Sequence, residues 1–285
     1  MNKLITLVLM LVAALLLQLP ASAQVEVQLT PNRTDYVAGE GVGLSLTVTN
    51  HTDTTLDLKD VAGHSWLNII LTQRGMGGPV IPKDNSGFPP MSIGPGSQRT
   101  ITVNLRDKYA LDTPGAFRAI ATILLPDGHT TYTSNRALFN ITTGGTIRSF
   151  PIQSRGRRLE ISARLVRTAK QEGIFGQVVD MDTKRAVGAC YMGRYINFMQ
   201  PRVLLDGAQN LHVLCQSTPE FFTYSVMNNR GQRLSYQVYR RVPGVPVDLM
   251  NTGKGFRPVG LTPYDPKAEA KKQREKLHST SERPL

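Results

Sequence analysis

Apolar and polar residues alternate along most of the chain after residue 24, and this period of two constrains the fold more than any other feature. The longest example is 42–50, where apolar residues occupy positions 42, 44, 46 and 48. Successive side chains of a strand point to opposite faces of a sheet, so the alternation predicts strands with one buried face. Glycine, proline and asparagine clusters separate the runs. The sequence therefore predicts an all-β protein.

The alternating runs fall into two groups, separated by a threonine- and glycine-rich segment at 142–146. The group before this segment occupies about 120 residues, a normal length for one β-sandwich. The later group includes two runs on either side of Asn-Asn-Arg-Gly at 228–231, which is a strong hairpin signal. We therefore predict a β-sandwich over 24–144 and a second, hairpin-rich β domain over 145–262.

Four segments of the first domain have features of a known family. They are 36–40 and 48–52 around the first long strand, 93–97 before a later strand, and 111–118 near the end. In these segments the chain resembles bacterial immunoglobulin-like modules of exported proteins, including those similar to the BsuPI proteinase-inhibitor domain. The resemblance covers most of 25–143 and implies an immunoglobulin-like sandwich, while the rest of the chain resembles no family. Phe117 stands where such sandwiches have the tyrosine of a tyrosine corner, so we expect this turn to depend on packing.

Residues 1–23 have the composition of a secretory signal. A lysine at position 3 precedes an apolar run at 4–17, and Ala-Ser-Ala at 21–23 matches the small-residue pattern of a signal-peptidase site. About 14 residues at ~1.5 Å per residue span ~21 Å, which is less than the ~30 Å hydrocarbon core of a bilayer. We therefore predict cleavage near Ala23–Gln24, a periplasmic or secreted location, and no membrane span in the mature chain.

The chain has two cysteines, Cys190 and Cys215. In an oxidising compartment two such thiols usually pair, and a disulfide across a loop of about 25 residues stabilises a protein by roughly 3–4 kcal/mol on the chain-entropy model. We therefore name this pair as a disulfide candidate, with two free buried thiols as the main alternative. A catalytic cysteine is a third interpretation, because His212 lies near Cys215 in the sequence. On one strand, however, these two side chains would point to opposite faces.

Positive charge is concentrated in the second domain. The chain has 33 lysine and arginine residues against 21 acidic residues, a net charge of +12. Nine basic and ten acidic residues lie in 24–144, whereas seventeen basic and seven acidic residues lie in 145–260. Fourteen of those seventeen are arginine, whose planar guanidinium binds phosphate or carboxylate through two hydrogen bonds. The candidate binding residues are Arg155, Arg157, Arg158, Arg164, Arg230, Arg233, Arg240 and Arg241.

The arginines restrict the class of partner. Alternation places Arg164 on the opposite face from Leu159 and Leu165, which predicts a solvent-facing side chain. Tyrosines are interleaved with the arginines, a combination that can bind single-stranded nucleic acid. An exported protein meets anionic envelope components or acidic proteins instead, so we predict these as partners rather than nucleic acid. The alternative is that arginine only keeps the sheet surface soluble and protects strand edges.

The sequence contains no recognised catalytic motif. G-x-S-x-G and H-E-x-x-H are absent, and the five histidines have no metal-ligand spacing. Asp180 and Asp182 form an Asp-x-Asp pair that is typical of a turn between strands. We therefore predict a non-enzymatic binding or structural protein of the cell envelope, with no cofactor and no metal. A hydrolase whose carboxylates are distant in sequence is the enzyme alternative.

Two loops of the first domain suggest a different mode of action. The glycine- and proline-rich segments 75–79 and 84–90 would be the contact surface of a proteinase-inhibitor-like or adhesion module, as the BsuPI resemblance suggests. A pilus-assembly-type chaperone also pairs two sandwiches, but 25–29 lacks the basic residues of its cleft. A weak repeat at an offset of 47 residues suggests related hairpins in the second domain, with chance similarity between two hairpins as the alternative. The charged tail at 263–285 is predicted to be disordered or helical.

Overall fold

The computed structural model describes residues 24–76, 78–83, 87–167, 172–253, 255–265 and 268–269. Its regular structure is almost entirely β, so the predicted all-β fold is confirmed. The elements of the N-terminal half, 24–144, are β1 (Val25–Pro31), β2 (Asp35–Val37), β3 (Gly43–Asn50), β4 (Leu56–Leu58), β5 (Leu67–Gln73), β6 (Met91–Ile93), β7 (Gln98–Asn104), the short helix α1 (Leu105–Lys108), β8 (Gly115–Leu124), β9 (Thr131–Thr133) and β10 (Ala137–Thr142). Those of the C-terminal half, 145–265, are β11 (Gly145–Ser154), β12 (Arg157–Arg167), β13 (Glu172–Asp180), β14 (Ala186–Arg194), β15 (Arg202–Leu205), β16 (Leu211–Gln216), β17 (Phe221–Met227), β18 (Arg233–Arg241), β19 (Asp248–Asn251), β20 (Phe256–Val259) and β21 (Leu261–Pro263).

Two main sheets form the N-terminal half. One has the strand order β1-β3-β7, and the other has the order β2-β10-β8-β5 with β9 beside β8. In β3, residues 44, 46 and 48 are fully buried while residues 43, 45, 47 and 49 are half-buried. Both sheets contribute to one apolar cluster, whose largest buried side chains include Trp66, Tyr36 and Phe139. The alternation in the sequence therefore corresponds to one face of each strand packing into this core.

Phe117 packs in the core at the position where the resemblance has a tyrosine. Its ring stacks on Phe139 with centroids 5.5 Å apart, and Tyr36 meets Phe139 edge-on at 5.9 Å. Such aromatic pairs contribute roughly 0.5–1.5 kcal/mol beyond the burial of their area. This geometry agrees with a turn that depends on packing. The immunoglobulin-like family assignment itself stays a prediction.

Two antiparallel meanders form the C-terminal half. The first meander has the order β11-β12-β13-β14, and the second has the order β15-β16-β17-β18 with β21 beside β18. They pack face to face around a cluster that includes Ile161, Met192 and Met227. A Cβ atom at Gly193 would lie 2.8 Å from Cys215 Sγ, so this glycine permits β14 to approach the second meander closely. Adding 47 to the residue numbers of β14 gives the residue numbers of β18, so the weak repeat aligns these two strands from first residue to last.

Both meanders are also covered on their outer faces. Leu249 of the β19–β20 hairpin packs with Phe222 of the second meander. On the first meander, Val37 of the N-terminal half packs with Val166 and Phe175. Every residue of β16 is consequently buried, as is most of β13. Strands covered on both faces lose the simple alternation of apolar and polar residues.

A backbone hydrogen bond and a hydrogen bond from a side chain join the two halves in addition to this apolar contact. The Ala189 N–H donates to the Gly39 carbonyl at 3.0 Å, and Gln177 Nε2 donates to the Ala38 carbonyl at 2.8 Å. Gly39 has a φ of +85°, and a Cβ atom there would lie 2.8 Å from Ala186 Cβ. Any other residue at this position would be strained and would also collide across the junction. The domain limits that the sequence suggests stay predictions.

The chain termini add little to the described structure. The predicted signal at 1–23 and most of the tail lie outside the described residues, although Ala268 and Glu269 are helical. Within the described residues, no helix has both the length and the apolar character that a membrane crossing requires.

Candidate functional site

Three turns meet at one end of the C-terminal half. They are 155–156 between β11 and β12, 181–185 between β13 and β14, and 228–232 between β17 and β18. The Met181 N–H donates to the Arg158 carbonyl at 2.9 Å, and Asn229 Nδ2 donates to Ser154 Oγ at 3.4 Å. These bonds connect the three turns into one surface, which we call the turn end. Its basic residues are Arg155, Arg157, Arg158, Lys184, Arg185 and Arg230.

Two arginines of the turn end are held by aspartates. Arg157 Nε donates to Asp180 Oδ2 at 2.8 Å, and Arg158 pairs with Asp182. The Thr183 N–H donates to Asp180 Oδ1 at 2.9 Å. This backbone hydrogen bond, together with Arg157, lowers the pKa of Asp180 to about 2. The Asp-x-Asp pair therefore lies in a turn, as predicted, and also positions two cationic side chains.

Arg155 and Arg230 are exposed in two hairpin turns, and neither forms an ion pair with a carboxylate of the described residues. Arg155 has a φ of +52° and Gly156 has a φ of +74°. Two consecutive left-handed residues are the requirement of a two-residue type I′ hairpin, where asparagine or glycine is usual. An arginine in this conformation costs roughly 1 kcal/mol. Lys184 in the 181–185 turn has a φ of +60°, so two cationic residues of the turn end have a left-handed backbone conformation.

The eight arginines predicted as binding residues do not form one site. Arg155, Arg157, Arg158 and Arg230 lie on the turn end, and Arg233 follows at the start of β18. Arg240 and Arg241 lie at the opposite end of β18. There Arg240 pairs with Glu269 at 3.2 Å and contacts the rings of Phe221 and Tyr264.

Arg164 does not face solvent, contrary to the prediction. Its side chain is 15% exposed and lies 3.8 Å from Glu160. Arg164 Nε donates to Ser162 Oγ at 3.2 Å, and Nη1 donates to the Thr143 carbonyl at 3.3 Å. Burial lowers the pKa of Arg164. The alternation prediction failed because the N-terminal half covers the outer face of β12.

Two arginines cover strand edges, which bears on the alternative that arginine protects the sheets. Arg233 Nη1 donates to the Tyr191 carbonyl of β14 at 3.3 Å, and Arg148 Nη1 donates to the Val203 carbonyl of β15 at 3.1 Å. These strands are edge strands of the first and second meander, respectively. An unpaired edge carbonyl invites pairing with another chain, so part of the arginine content is structural.

A cleft of about 640 Å³ lies at the other end of the C-terminal half, away from the turn end. Arg148 of β11, Arg167 of β12 and Arg202 of β15 line it, with neutral polar groups from the loop between β14 and β15. Sequence reasoning missed this cleft because its residues come from segments far apart in the chain. The one local signal is Asn-Phe-Met-Gln at 197–200, which places an aromatic residue among amides in a loop.

A buried trio of titratable side chains connects β16, β17 and β20. His212 Nε2 lies 2.9 Å from Asp206 Oδ2, and His212 Nδ1 lies 2.7 Å from the Tyr224 hydroxyl. The Tyr224 hydroxyl donates to the Phe256 carbonyl at 2.8 Å, and burial raises the pKa of Tyr224 to about 12. Burial also raises the pKa of Asp206, but hydrogen bonds from His212 and Asn210 outweigh it and leave this pKa lowered. The Tyr224 hydroxyl is thus hydrogen-bonded to the backbone, and the trio holds β20 against β16 and β17.

The predicted disulfide between Cys190 and Cys215 is not formed, and both residues are free thiols. Cys190 Sγ lies 3.6 Å from Met192 Sδ, whereas Cys215 Sγ lies 3.5 Å from the Arg194 carbonyl. The cysteines are on β14 and β16, which belong to different meanders, and their sulfur atoms have different neighbours. Burial raises the pKa of both thiols to about 12, so neither is a reactive thiolate at neutral pH.

The two sandwich loops are attached to the N-terminal half at their bases. The Val80 N–H donates to the Leu71 carbonyl at 2.7 Å, and Trp66 Nε1 donates to the Phe88 carbonyl at 3.2 Å. Residue 77 of the first loop and residues 84–86 of the second lie outside the described residues. The proteinase-inhibitor-like or adhesion alternative stays a prediction.

In the described part of the chain, no group of three histidine, cysteine, aspartate or glutamate residues is arranged to hold a metal ion.

Comparisons with known proteins identify no family. No protein-family model and no curated protein matches the chain. The solved structures with some similarity include the alkylpurine DNA glycosylase AlkC of Pseudomonas fluorescens, 16% identical over 42% of this chain and 31% of that chain, with a TM-score of 0.29. The sporulation control protein Spo0M of Bacillus subtilis is 11% identical over 91% of this chain and 98% of its own, with a TM-score of 0.29. The Escherichia coli chaperone DraB is 9% identical over 74% of this chain and 96% of its own, with a TM-score of 0.24. Similarities at these TM-scores carry no argument about fold or function.

Proposed function

We propose that this chain is an exported, non-enzymatic protein of the cell envelope, and that its C-terminal half contacts an anionic envelope component through the turn end. The observation that carries the proposal is the gathering of cationic side chains from three separate turns on one surface. Arg155 and Arg230 belong to different meanders and have no carboxylate partner among the described residues. Export rests on the sequence of 1–23.

The charges of the turn end indicate a weak, salt-sensitive contact. Asp180 and Asp182 balance Arg157 and Arg158, and Arg185 Nε lies 3.7 Å from Asp112 Oδ2, which leaves Arg155, Lys184 and Arg230 in excess there. A cation near an anionic membrane surface contributes about 1 kcal/mol, so three of them give about 3 kcal/mol. Screening reduces this contribution over a Debye length of about 10 Å at 0.1 M salt.

The test is sedimentation of the chain from Gln24 onward with vesicles that contain phosphatidylglycerol. We expect binding at low ionic strength, loss of binding as salt is added, and no binding to vesicles of phosphatidylcholine alone. The double variant Arg155→Glu with Arg230→Glu should lose the binding, because it reverses two charges of the turn end.

A matched control reverses two exposed charges elsewhere. Lys59→Glu with Arg136→Glu changes the net charge of the chain by the same amount but lies in the N-terminal half. It should retain most of the binding. Equal loss in both double variants would mean that net charge rather than the turn end drives the contact. Absence of binding by the parent chain at low salt would reject the proposal.

A further inference from the structure

The cleft at the opposite end from the turn end combines cationic side chains with neutral hydrogen-bonding side chains. It has guanidinium groups from Arg148, Arg167 and Arg202, and neutral hydrogen-bonding side chains from Asn197 and Gln200. The same loop carries Phe198, which is exposed to solvent and is not itself among the residues that line the cleft. A volume of about 640 Å³ is within the range of clefts that bind small molecules, roughly 300–1,000 Å³.

Arg167 of the cleft is paired with Glu172 at 2.7 Å, whereas Arg148 and Arg202 retain hydrogen-bonding capacity. Arg148 donates from Nη1 to the Val203 carbonyl at 3.1 Å and has no carboxylate partner among the described residues. A guanidinium has five N–H groups, so most of those of Arg148 are available to an anion. Arg202 Nε lies 3.1 Å from Asp248 Oδ1, and both side chains are 52% exposed. Exposed ion pairs are weak, so a ligand carboxylate can replace Asp248 at little cost.

The neutral groups of the loop are suited to hydroxyl groups. The Tyr195 hydroxyl donates to Asn197 Oδ1 at 2.8 Å, which orients the amide and leaves Nδ2 as a donor. Gln200 adds a second exposed amide. Phe198, between them in the sequence, is 75% exposed. An aromatic ring in solvent offers an apolar face for the C–H side of a sugar ring.

We infer that this cleft binds a carboxylated saccharide, with the sugar ring on Phe198, hydroxyl groups on Asn197 and Gln200, and the carboxylate on Arg148 and Arg202. Bidentate arginine–carboxylate contacts provide the selectivity for an acidic over a neutral sugar. The site goes beyond the proposed function, since it lies at the other end of the C-terminal half and uses none of the residues of the turn end.

The test is isothermal titration of the chain from Gln24 onward with the tetrasaccharide of galacturonic acid, against the neutral tetrasaccharide of glucose. We expect binding of the acidic sugar only. Arg148→Gln and Phe198→Ala should each weaken it at least about tenfold, which corresponds to about 1.4 kcal/mol. Arg136→Gln, which removes the same charge from an exposed site in the N-terminal half, should leave the affinity unchanged.

Asp248→Asn provides the sharpest test, because it should increase the affinity for the acidic sugar, whereas a variant that only destabilises the protein would decrease it. Removing this carboxylate releases Arg202 and reduces the negative charge of the cleft, so the acidic sugar should bind more tightly. Weaker binding in Asp248→Asn, or equal binding of the two tetrasaccharides, would overturn the inference. The variant Arg155→Glu with Arg230→Glu should bind the acidic sugar like the parent chain, so failure of the turn-end proposal is recognisable separately.

Discussion

At position 155 the backbone conformation of the turn favours asparagine, whereas the proposed contact requires a positive charge. Replacing Arg155 with asparagine should separate these two effects. The residue occupies the first position of a two-residue hairpin turn with a φ of +52°, followed by Gly156 at +74°. Asparagine tolerates this left-handed conformation far better than arginine because its short side chain bonds locally to the backbone. We therefore expect Arg155→Asn to stabilise the protein while removing a positive charge from the turn end.

The size of both effects follows from the structure. Relief of the left-handed strain should increase the free energy of unfolding by about 1 kcal/mol, because the side chain has no ion pair to lose within the described residues. For a chain of this length that unfolds as one unit, the melting temperature should rise by about 2–4 °C. Loss of one cation near an anionic surface should weaken vesicle binding by about 1 kcal/mol, or about fivefold.

Thermal unfolding followed by circular dichroism measures the first effect, and vesicle sedimentation at low salt measures the second. Arg155→Gln is the control, because it removes the charge but keeps an unbranched side chain that is strained at positive φ. It should lose binding to the same extent without the gain in melting temperature. Two results would refute the argument from backbone strain. One is a melting temperature of Arg155→Asn at or below that of the parent, and the other is the same melting temperature in Arg155→Asn and Arg155→Gln.

Two further measurements examine the C-terminal half. Without reductant, a thiol reagent at neutral pH should find no reactive cysteine in the native chain and two in denaturant, because burial raises the pKa of Cys190 and Cys215 to about 12; absence of thiols in denaturant would establish a disulfide instead. Asp180 has a folded pKa of about 2, below its ordinary value of 3.8, so its ionised form stabilises the fold above pH 3.8 and this contribution is lost as pH falls toward 2. The difference in unfolding free energy between the parent and Asp180→Asn should therefore be greatest above about pH 4 and shrink in acid; a difference that is constant from neutral pH to pH 2 would contradict this assignment.

The parts of the fold that the sequence predicted are those in which one face of a strand is apolar and the other is exposed to solvent. The alternation in 42–50 became β3, and Asn-Asn-Arg-Gly at 228–231 became the turn between β17 and β18. Both signals are local, since they depend on side-chain direction and turn conformation within a few residues.

Predictions failed where a second layer covers a strand. Arg164 is on the face of β12 away from the inner core, but the N-terminal half covers that face. The free thiols have a similar origin, because the number of cysteines says nothing about which meander each strand joins. The cleft was beyond local reasoning altogether, since Arg148, Arg202 and Asp248 meet only after both meanders and the β19–β20 hairpin are in place.

If the proposed anion contacts form, the preference for arginine over lysine in the C-terminal half has a physical reason, because one guanidinium can serve two purposes. Arg148 uses one N–H on the edge carbonyl of Val203 and still presents other N–H groups to the cleft, and Arg233 similarly covers the Tyr191 carbonyl beside the turn end. A lysine ammonium is a compact, strongly hydrated point charge without the planar fork that lets one group bond a backbone carbonyl and bind an anion in two hydrogen bonds. Edge protection, which the structure shows for Arg148 and Arg233, is therefore compatible with the proposed anion binding. The hydrogen bond to an edge carbonyl already orients the guanidinium in the folded protein. Binding an anion would then cost less side-chain entropy, because part of that entropy is lost on folding.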